Sequence, residues 1–297
     1  MRARDFFFRT SGSLRAPWQW LGFLAILIVA WLVLLQLAAV AARAAHWTLG
    51  ATTTTYWSML GALVVAHVVM LRFVDRRPWS AVGLARHQAD WRRLLSGLAV
   101  GALGIGVPSG LLLVVHWLRA EPVAAPLTSW LHFAAAMAAF FLPQALAEEM
   151  LVRGYLFSSA RAAIGWPGAL GVTSVVFGAL HGFNPGADAQ SIVLVTLAGG
   201  FLAGVLLLTD SLYAAWMAHF AWNWCMAAVL HAAVSGLPFA APGYRIVDSG
   251  PDWITGGAWG PEGGAGAALG MAAGVWVLAR LWRRRITPVG EPRSMET

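Results

Sequence analysis

The sequence is poor in charge, with 11% charged residues against 59% hydrophobic ones. A typical soluble domain carries about a quarter charged residues, so this composition argues against a soluble fold. Mean hydropathy is +0.67. Apolar runs of about 20 residues, long enough to cross a bilayer core, recur along the chain. We therefore expect an integral membrane protein.

Cysteine is almost missing and lysine is missing altogether. The single cysteine, Cys225, excludes an intramolecular disulfide and a metal site built from several cysteines. All 20 basic residues are arginine, and the net charge is +7. These arginines lie in short connections between apolar runs, as in membrane proteins with basic cytoplasmic loops. The expected partner is thus the lipid bilayer and not nucleic acid.

Eight apolar segments predict an all-α, polytopic membrane protein, a bundle of about eight transmembrane helices in one integral membrane domain of residues 1–297. The segments are approximately 18–42, 54–72, 94–118, 129–150, 166–183, 189–208, 211–234 and 264–282. The first run is longer than the core of a signal peptide, so we expect an uncleaved helix there. The fourth is expected to continue as helix beyond residue 150.

Arginine placement predicts the orientation. With a cytoplasmic N-terminus and eight crossings, 17 arginines face the cytoplasm and three face outside. This bias predicts an N-in, C-in topology. Residues 73–93 would form a basic cytoplasmic connection, interpreted as an amphipathic helix on the lipid surface. Residues 235–263, rich in glycine and proline, would form an irregular extracytoplasmic loop.

Glycines four residues apart predict close packing between helices, because the missing side chains let two backbones approach. The spacing occurs in three places: Gly97/Gly101, Gly200/Gly204 and Gly266/Gly270/Gly274.

Two glutamates, Glu148 and Glu149, interrupt an apolar helix, while the other acidic residues lie in loops or tails. A carboxylate inside a membrane helix is costly and indicates a functional site. Glu149 and Arg153 are spaced i, i+4 and can pair, whereas Glu148 points about 100° away around the helix. Glu148 is therefore the candidate for general acid–base chemistry. The alternative is that both glutamates only mark the membrane interface.

Three further polar residues lie in apolar segments. His181 follows Phe177 at i+4 in the fifth segment, and His219 and Asn223 have the same spacing in the seventh. A membrane histidine is more often a packed, hydrogen-bonded residue than a catalyst. Three other histidines are assigned to that class: His67, His116 and His132.

Positions along the chain predict that these polar residues meet. Glu148 and His181 are 33 residues apart, with a turn predicted midway at 165–167. If helices flank the turn, each residue lies about 24 Å from it. His219 lies nine residues, or about 13 Å, beyond a second turn at 209–211. If the first hairpin protrudes by ~10 Å, the three residues share a depth of about 10–15 Å below the cytoplasmic face.

Such a group suits hydrolysis. Water beside a carboxylate and an imidazole can be deprotonated and attack a carbonyl carbon, and further donors can stabilise the oxyanion. Two pairs of residues are the candidate halves of a hydrolytic site: Glu148 with His181, and His219 with Asn223. Neither a His-Glu-x-x-His nor a Gly-x-Ser-x-Gly motif is present. The spacing leaves open whether a glutamate and two histidines instead hold zinc.

Three motifs carry this pattern: Glu148-Glu149-x-x-x-Arg153, Phe177-x-x-x-His181 and His219-x-x-x-Asn223. In order and spacing they resemble the signatures of the CPBP intramembrane proteases. That family, also called the ABI family, contains the CAAX prenyl proteases of type II and bacteriocin-processing enzymes. A glycine-containing stretch at 199–204 is similar as well. The resemblance covers about residues 130–230, which we take as the protease core.

The resemblance implies a bundle of eight membrane helices with cytoplasmic termini, and hydrolysis of peptide bonds. It implies water activation by Glu148 and His181, and oxyanion stabilisation by His219 and Asn223. Three residues would organise the site: Glu149, Arg153 and Phe177. We expect no metal, because an asparagine is a poor zinc ligand but a good oxyanion donor. Zinc is the alternative.

The predicted function is that of an intramembrane endopeptidase acting on membrane-associated peptides or on juxtamembrane ends of proteins. Exclusive arginine usage suggests a GC-rich bacterial genome, so we expect the bacterial inner membrane. Prenylated substrates, the eukaryotic precedent, are not expected there, which leaves the substrate open. One alternative is a non-catalytic membrane factor such as a bacteriocin immunity protein. A proton-relaying transporter is another, but the sequence shows no duplicated half.

Overall fold

The computed structural model describes residues 14–46 and 50–282. The helices, in chain order, are α1 (Ala16–Ala45), α2 (Ala51–Val69), α3 (Trp91–Val114), α4 (Leu127–Glu149), α5 (Phe157–His181), α6 (Ala189–Thr209), α7 (Leu212–Trp224), α8 (Asp252–Thr255) and α9 (Ala265–Trp282). Single π-helical turns extend three of them: Met70–Val74 after α2, Met150–Leu156 between α4 and α5, and Cys225–Val229 after α7. Two short strands, β1 (Leu118–Pro122) and β2 (Tyr244–Asp248), pair antiparallel.

Each of the eight predicted apolar segments falls on a helix, which confirms the all-α membrane class. Within the described residues, six helical stretches are long and apolar enough to cross a membrane by length and composition. One of these, Leu127–His181, runs for 55 residues. Gly165 interrupts it with φ 76° and ψ 173°, at the predicted turn. The number of crossings and the orientation stay predictions.

Part of the orientation prediction falls outside the described residues. The arginines concerned are Arg2, Arg4, Arg9, Arg283, Arg284, Arg285 and Arg293.

Side-chain caps set the starts of three membrane helices. Asp90 accepts hydrogen bonds from the backbone N–H groups of Arg92 and Arg93 at the start of α3, at 3.0 and 3.1 Å. Asp188 forms a reciprocal capping box with Ser191 at the start of α6. Ser211 accepts from Ala214 N–H at 3.2 Å at the start of α7. These caps satisfy N–H groups that have no partner within the helix.

Glycines bring α3 against α7, the helix that carries His219 and Asn223. A Cβ on Gly97 would lie 2.2 Å from the carbonyl oxygen of Ala214, and one on Gly101 would lie 2.1 Å from that of Ala218. A Cβ on Gly270 of α9 would lie 1.8 Å from the carbonyl oxygen of Gly104 in α3. The predicted glycine packing is therefore present at these positions.

The predicted pair Gly200/Gly204 does not make such an approach. A Cβ on either glycine would have only ordinary contacts, of 3.7 and 3.5 Å at the nearest. The close approach in α6 is at the preceding residue, Gly199, where a Cβ would lie 2.9 Å from the Cα of Ser174. Both Gly199 and Gly200 face α5, but only Gly199 allows the close approach of the two backbones.

The helix continues beyond residue 150 as predicted, but through the π turn. The N–H of Tyr155 donates to Nε2 of His67 at 3.1 Å. His67 Nδ1 lies 2.8 Å from the Leu63 carbonyl oxygen and therefore carries the proton, which leaves Nε2 as the acceptor. The fully buried His67 thus satisfies a backbone donor next to the glutamate pair, in keeping with its assignment as a packed histidine.

The connection before α3 differs from its prediction, because it is not an amphipathic surface helix. It consists of two 3₁₀ turns, Trp79–Val82 and Arg86–Gln88, packed against the start of α7. Gln88 is buried, and its side-chain Nε2 donates to the backbone carbonyl oxygen of Asp210 at 2.8 Å. The backbone carbonyl oxygen of Gln88 accepts from Ser211 Oγ at 2.6 Å. A tertiary contact of a polar loop with another turn leaves no periodic pattern in the sequence.

The stretch 235–263 also differs from the predicted irregular loop. It contains β2, the short helix α8 and two 3₁₀ turns, Gly257–Trp259 and Pro261–Gly263. β2 pairs with β1 from Leu118 opposite Asp248 to Pro122 opposite Tyr244. Its last turn buries Glu262, so part of this stretch packs into the bundle.

Candidate active site

An ion pair lies at the centre of the bundle. The side chains of Glu149 and Arg153 are both 0% exposed, with 3.1 Å between Oε1 and Nη1. Nη2 of Arg153 donates to the Gly199 carbonyl oxygen at 3.1 Å. The guanidinium carbon lies 4.0 Å from the ring centroid of Phe177, a cation–π contact. The predicted i, i+4 pairing is present, and it connects α4, α5 and α6.

Glu149 has a second partner, which the helical spacing does not predict. Its Oε1 lies 2.9 Å from Nδ1 of His219. A carboxylate is an acceptor, so this nitrogen carries the proton and Nε2 faces the other way. Nε2 is in turn 3.8 Å from Oε2 of Glu148. The imidazole of His219 therefore stands between the two neighbouring glutamates.

Glu148 is the more accessible of the two carboxylates, with a side chain that is 22% exposed. Its Oε1 accepts a hydrogen bond from Nε2 of Gln144, one turn earlier in α4. Its Oε2 is buried and has no hydrogen-bond partner among the described residues. The carboxylate is therefore held in place at one oxygen, and the other lies 3.8 Å from Nε2 of His219.

Asn223 and His181 complete the polar group. Nδ2 of Asn223 donates to Oε1 of Gln144 at 3.4 Å, a long bond. His181 Nδ1 lies 2.8 Å from the Phe177 carbonyl oxygen, so it carries the proton and Nε2 is an acceptor when the ring is neutral. The ring of Phe177 lies against both His181 and His219, at 4.6 and 5.9 Å between centroids.

One cavity of about 290 Å³ is lined by all four predicted catalytic residues: Glu148, His181, His219 and Asn223. Along a straight helix, 33 residues would separate Glu148 and His181 by about 50 Å. The chain therefore folds back on itself between them. Among the contacts of the described residues, no hydrogen bond joins Glu148 to His181. Apolar side chains form much of the remaining wall: Tyr56, Met59, Phe140, Phe141, Leu237 and Phe239.

A larger apolar groove of about 1030 Å³ lies between α3 and α9. Arg92 is the charged residue in its lining, and none of the four predicted catalytic residues borders it. A hydrolytic site needs convergent polar groups more than it needs volume. The smaller cavity is therefore the candidate active site.

Sequence reasoning missed three residues of this site. Gln144 could have been found, because it is a polar residue one turn before Glu148 in an apolar segment. Ser235 borders the cavity, and Glu262 borders a small adjoining pocket together with Ser235, His181 and His219. Both come from the glycine- and proline-rich stretch, where no periodic pattern indicates which residues turn inward.

Glu148, His181 and His219 are the possible metal ligands that line the cavity. Among the described residues, no group of three or more His, Cys, Asp or Glu side chains has the arrangement that could hold a metal ion. His219 Nδ1 is bonded to Glu149 and His181 Nδ1 to a backbone carbonyl, so Nε2 is the ring nitrogen left to each histidine for other contacts.

Fold and site together define a polytopic α-helical membrane protein with a buried Glu–His–Asn cluster facing a cavity. Residues 128–225 match the family model described as type II CAAX prenyl endopeptidase Rce1-like. This match confirms the resemblance of the segment to the CPBP family of intramembrane proteases. No curated protein and no solved structure gives a significant match.

The matched segment carries Glu148, His181, His219 and Asn223. It nearly coincides with the protease core of 130–230 that the motifs predict. Helices α1, α2, α3 and α9 and the stretch 235–263 lie outside it. The family whose model matches the segment is one of CAAX-type endopeptidases.

Proposed function

We propose that the protein is an intramembrane endopeptidase that hydrolyses peptide bonds of membrane-associated peptides or of juxtamembrane ends of proteins. The observation that carries this proposal is the convergence of four polar residues from α4, α5 and α7 on one cavity. The cavity is walled by aromatic and aliphatic side chains, as a site for an apolar segment of peptide would be. We place the protein in a bacterial inner membrane.

In the proposed reaction, Glu148 activates water. Its unpartnered Oε2 takes a proton from water, and the hydroxide attacks the carbonyl carbon of the scissile bond. The bare Nε2 of neutral His181 provides a second acceptor that orients the same water. As the tetrahedral intermediate collapses, the C–N bond breaks and the leaving amine takes the proton back from Glu148.

In the same reaction, His219 and Asn223 stabilise the oxyanion. Both ring nitrogens of His219 face carboxylate oxygens, so a doubly protonated ring has an acceptor at Nδ1 and directs Nε2–H towards the cavity. The long bond from Asn223 to Gln144 is weak, so its amide can turn to the oxyanion. Glu149, held by Arg153, fixes the orientation of the His219 ring. We propose that no metal takes part.

The substitution Glu148→Gln tests the peptidase directly. Removal of a general base typically costs about 10²- to 10⁴-fold in rate, so we expect cleavage of a peptide library to fall by that range in purified protein. Glu121→Gln is the matched control, because Glu121 forms an exposed ion pair with Arg245 on the β1–β2 ladder. The control should cleave as the wild type does.

Absence of cleavage by wild type and Glu148→Gln alike, together with full function of the variant in a bacteriocin-immunity assay, would favour the non-catalytic alternative. Zinc analysis of the active preparation tests the metal-independent mechanism. Stoichiometric zinc, with cleavage abolished by a chelator, would contradict it.

A further inference from the structure

Glu262 is a buried carboxylate outside the segment that matches the protease family. It lies in the 3₁₀ turn Pro261–Gly263 just before α9 and is 6% exposed. Oε1 accepts from the backbone N–H of Ser235 at 2.5 Å and from its Oγ at 2.7 Å. Oε2 accepts from Nε1 of Trp222 at 3.0 Å. Among the described residues, no cation forms an ion pair with it, so these three donors hold the carboxylate.

One of the two partner residues, Trp222, belongs to the catalytic helix α7. Trp222 directly precedes Asn223 in α7 and lies three residues after His219. Its side chain is buried against Phe201 of α6, with 5.8 Å between ring centroids. The bond to Glu262 fixes the ring from the other end.

The other partner residue, Ser235, belongs to the cavity wall. Ser235 has a positive φ of 49°, which is uncommon for a residue with a side chain. Its carbonyl oxygen accepts from Nδ2 of Asn184, three residues after His181, at 3.0 Å. Gly236 follows with φ 77°, and a Cβ there would lie 2.2 Å from the Pro185 carbonyl oxygen. The turn is therefore pressed against the end of α5.

We propose that Glu262 is a positioning residue of the active site, which holds the segment 234–239 as one wall of the substrate cavity. The proposal rests on the peptidase function proposed above. Val234, Leu237 and Phe239 of that segment line the cavity together with the catalytic residues. Glu262 joins this wall through Ser235 to the helix of His219 and Asn223 through Trp222. The wall contacts bound peptide, so Glu262 acts mainly on substrate binding.

The substitution Glu262→Gln is the sharpest test, because an amide cannot serve all three donors. One end of the amide carries hydrogens and faces an N–H or O–H group in either orientation. Hydrogen bonds to a charged group are strong, and we expect KM to rise about tenfold with kcat changed less than about threefold. Ser235→Ala, which removes the Oγ donor alone, should give a smaller rise. Glu121→Gln is again the control.

Trp222→Phe provides a rescue arm. It removes the indole donor that conflicts with the amide of Glu262→Gln, so the double variant should have a lower KM than Glu262→Gln alone. A purely structural role would lower the melting temperature but leave KM of the folded fraction unchanged. An unchanged KM in folded Glu262→Gln overturns the proposal.

Hydrogen–deuterium exchange separates this proposal from the peptidase function. In Glu262→Gln, backbone exchange across 234–239 should rise, whereas Glu121→Gln should leave it unchanged. If the wild type cleaves no peptide and exchange still rises, the peptidase function fails and the positioning of the wall stands. If exchange in 234–239 does not change, the positioning proposal fails, whatever the activity.

Discussion

At the scale of single residues, the site depends on how buried charges are shared. Arg153 is fully buried and carries a single positive charge beside two glutamates. Oε1 of Glu149 accepts hydrogen bonds from both Arg153 and His219, at 3.1 and 2.9 Å. A buried ion pair is weak evidence of stability in itself, but it is costly to break from one side. The orientation of the His219 ring therefore depends on the ion pair between Glu149 and Arg153.

Arg153→Met should be strongly destabilising, because it leaves Glu149 buried without its cation. We expect a loss of about 3–5 kcal/mol in the free energy of unfolding. The double variant Glu149→Gln/Arg153→Met should recover part of that stability, because no buried charge is then left unpaired, but it should stay inactive. Unfolding in detergent and the cleavage assay measure the two quantities. Equal stability of the single and double variants would contradict the prediction.

At the scale of elements, the approach of α3 to α7 sets the position of two catalytic residues. His219 and Asn223 project from α7 into the cavity, while the opposite face of that helix lies against glycines of α3. The close packing needs no polar contact, because the absence of two side chains is sufficient. A substitution on α3, remote from the cavity, should therefore shift His219 and Asn223 in the site.

Gly101→Ala tests this dependence. Its Cβ would lie 2.1 Å from the carbonyl oxygen of Ala218, which a backbone can relieve only by moving away. We expect a loss of about 1–3 kcal/mol in stability, as in other overpacked cores, and reduced kcat. Gly106→Ala in the same helix is the control, because a Cβ there meets nothing within 4 Å. Similar behaviour of the two variants would show that the packing does not position α7.

At the scale of the whole molecule, the placement of arginine predicts the orientation in the bilayer. The excess of arginine in alternate connections predicts cytoplasmic termini, with the 73–93 connection inside and the β1–β2 ladder outside. The exposed side chains of Arg86 and Arg245 lie in these two regions.

Single cysteines test the orientation in a Cys225→Ala background. Arg86→Cys should react with a membrane-impermeant thiol reagent only in inverted vesicles, and Arg245→Cys only in intact spheroplasts. The reason is that the reagent reaches one side of the bilayer in each preparation. The reverse pattern of labelling would contradict the N-in, C-in topology.

Much of the molecule follows from the sequence alone. Hydrophobic length determines which stretches are helices, because an exposed backbone polar group is not tolerated in lipid. The rarity of charge in these stretches singles out Glu148 and Glu149, and helical spacing gives the pairing with Arg153. Spacing of this kind is local information, which is why these predictions agree with the observed contacts.

Only the tertiary structure decides which groups from distant parts of the chain meet. The contact of Glu149 with His219, 70 residues apart, depends on how α4 and α7 are rotated. Burial of Gln88, Ser235 and Glu262 likewise depends on loops packing into the bundle. Such contacts leave no period in the sequence, because they are set by the packing of whole elements and not by neighbours along a helix. The sequence thus determines a membrane bundle with charged residues inside, and the tertiary packing decides which of those residues share one cavity.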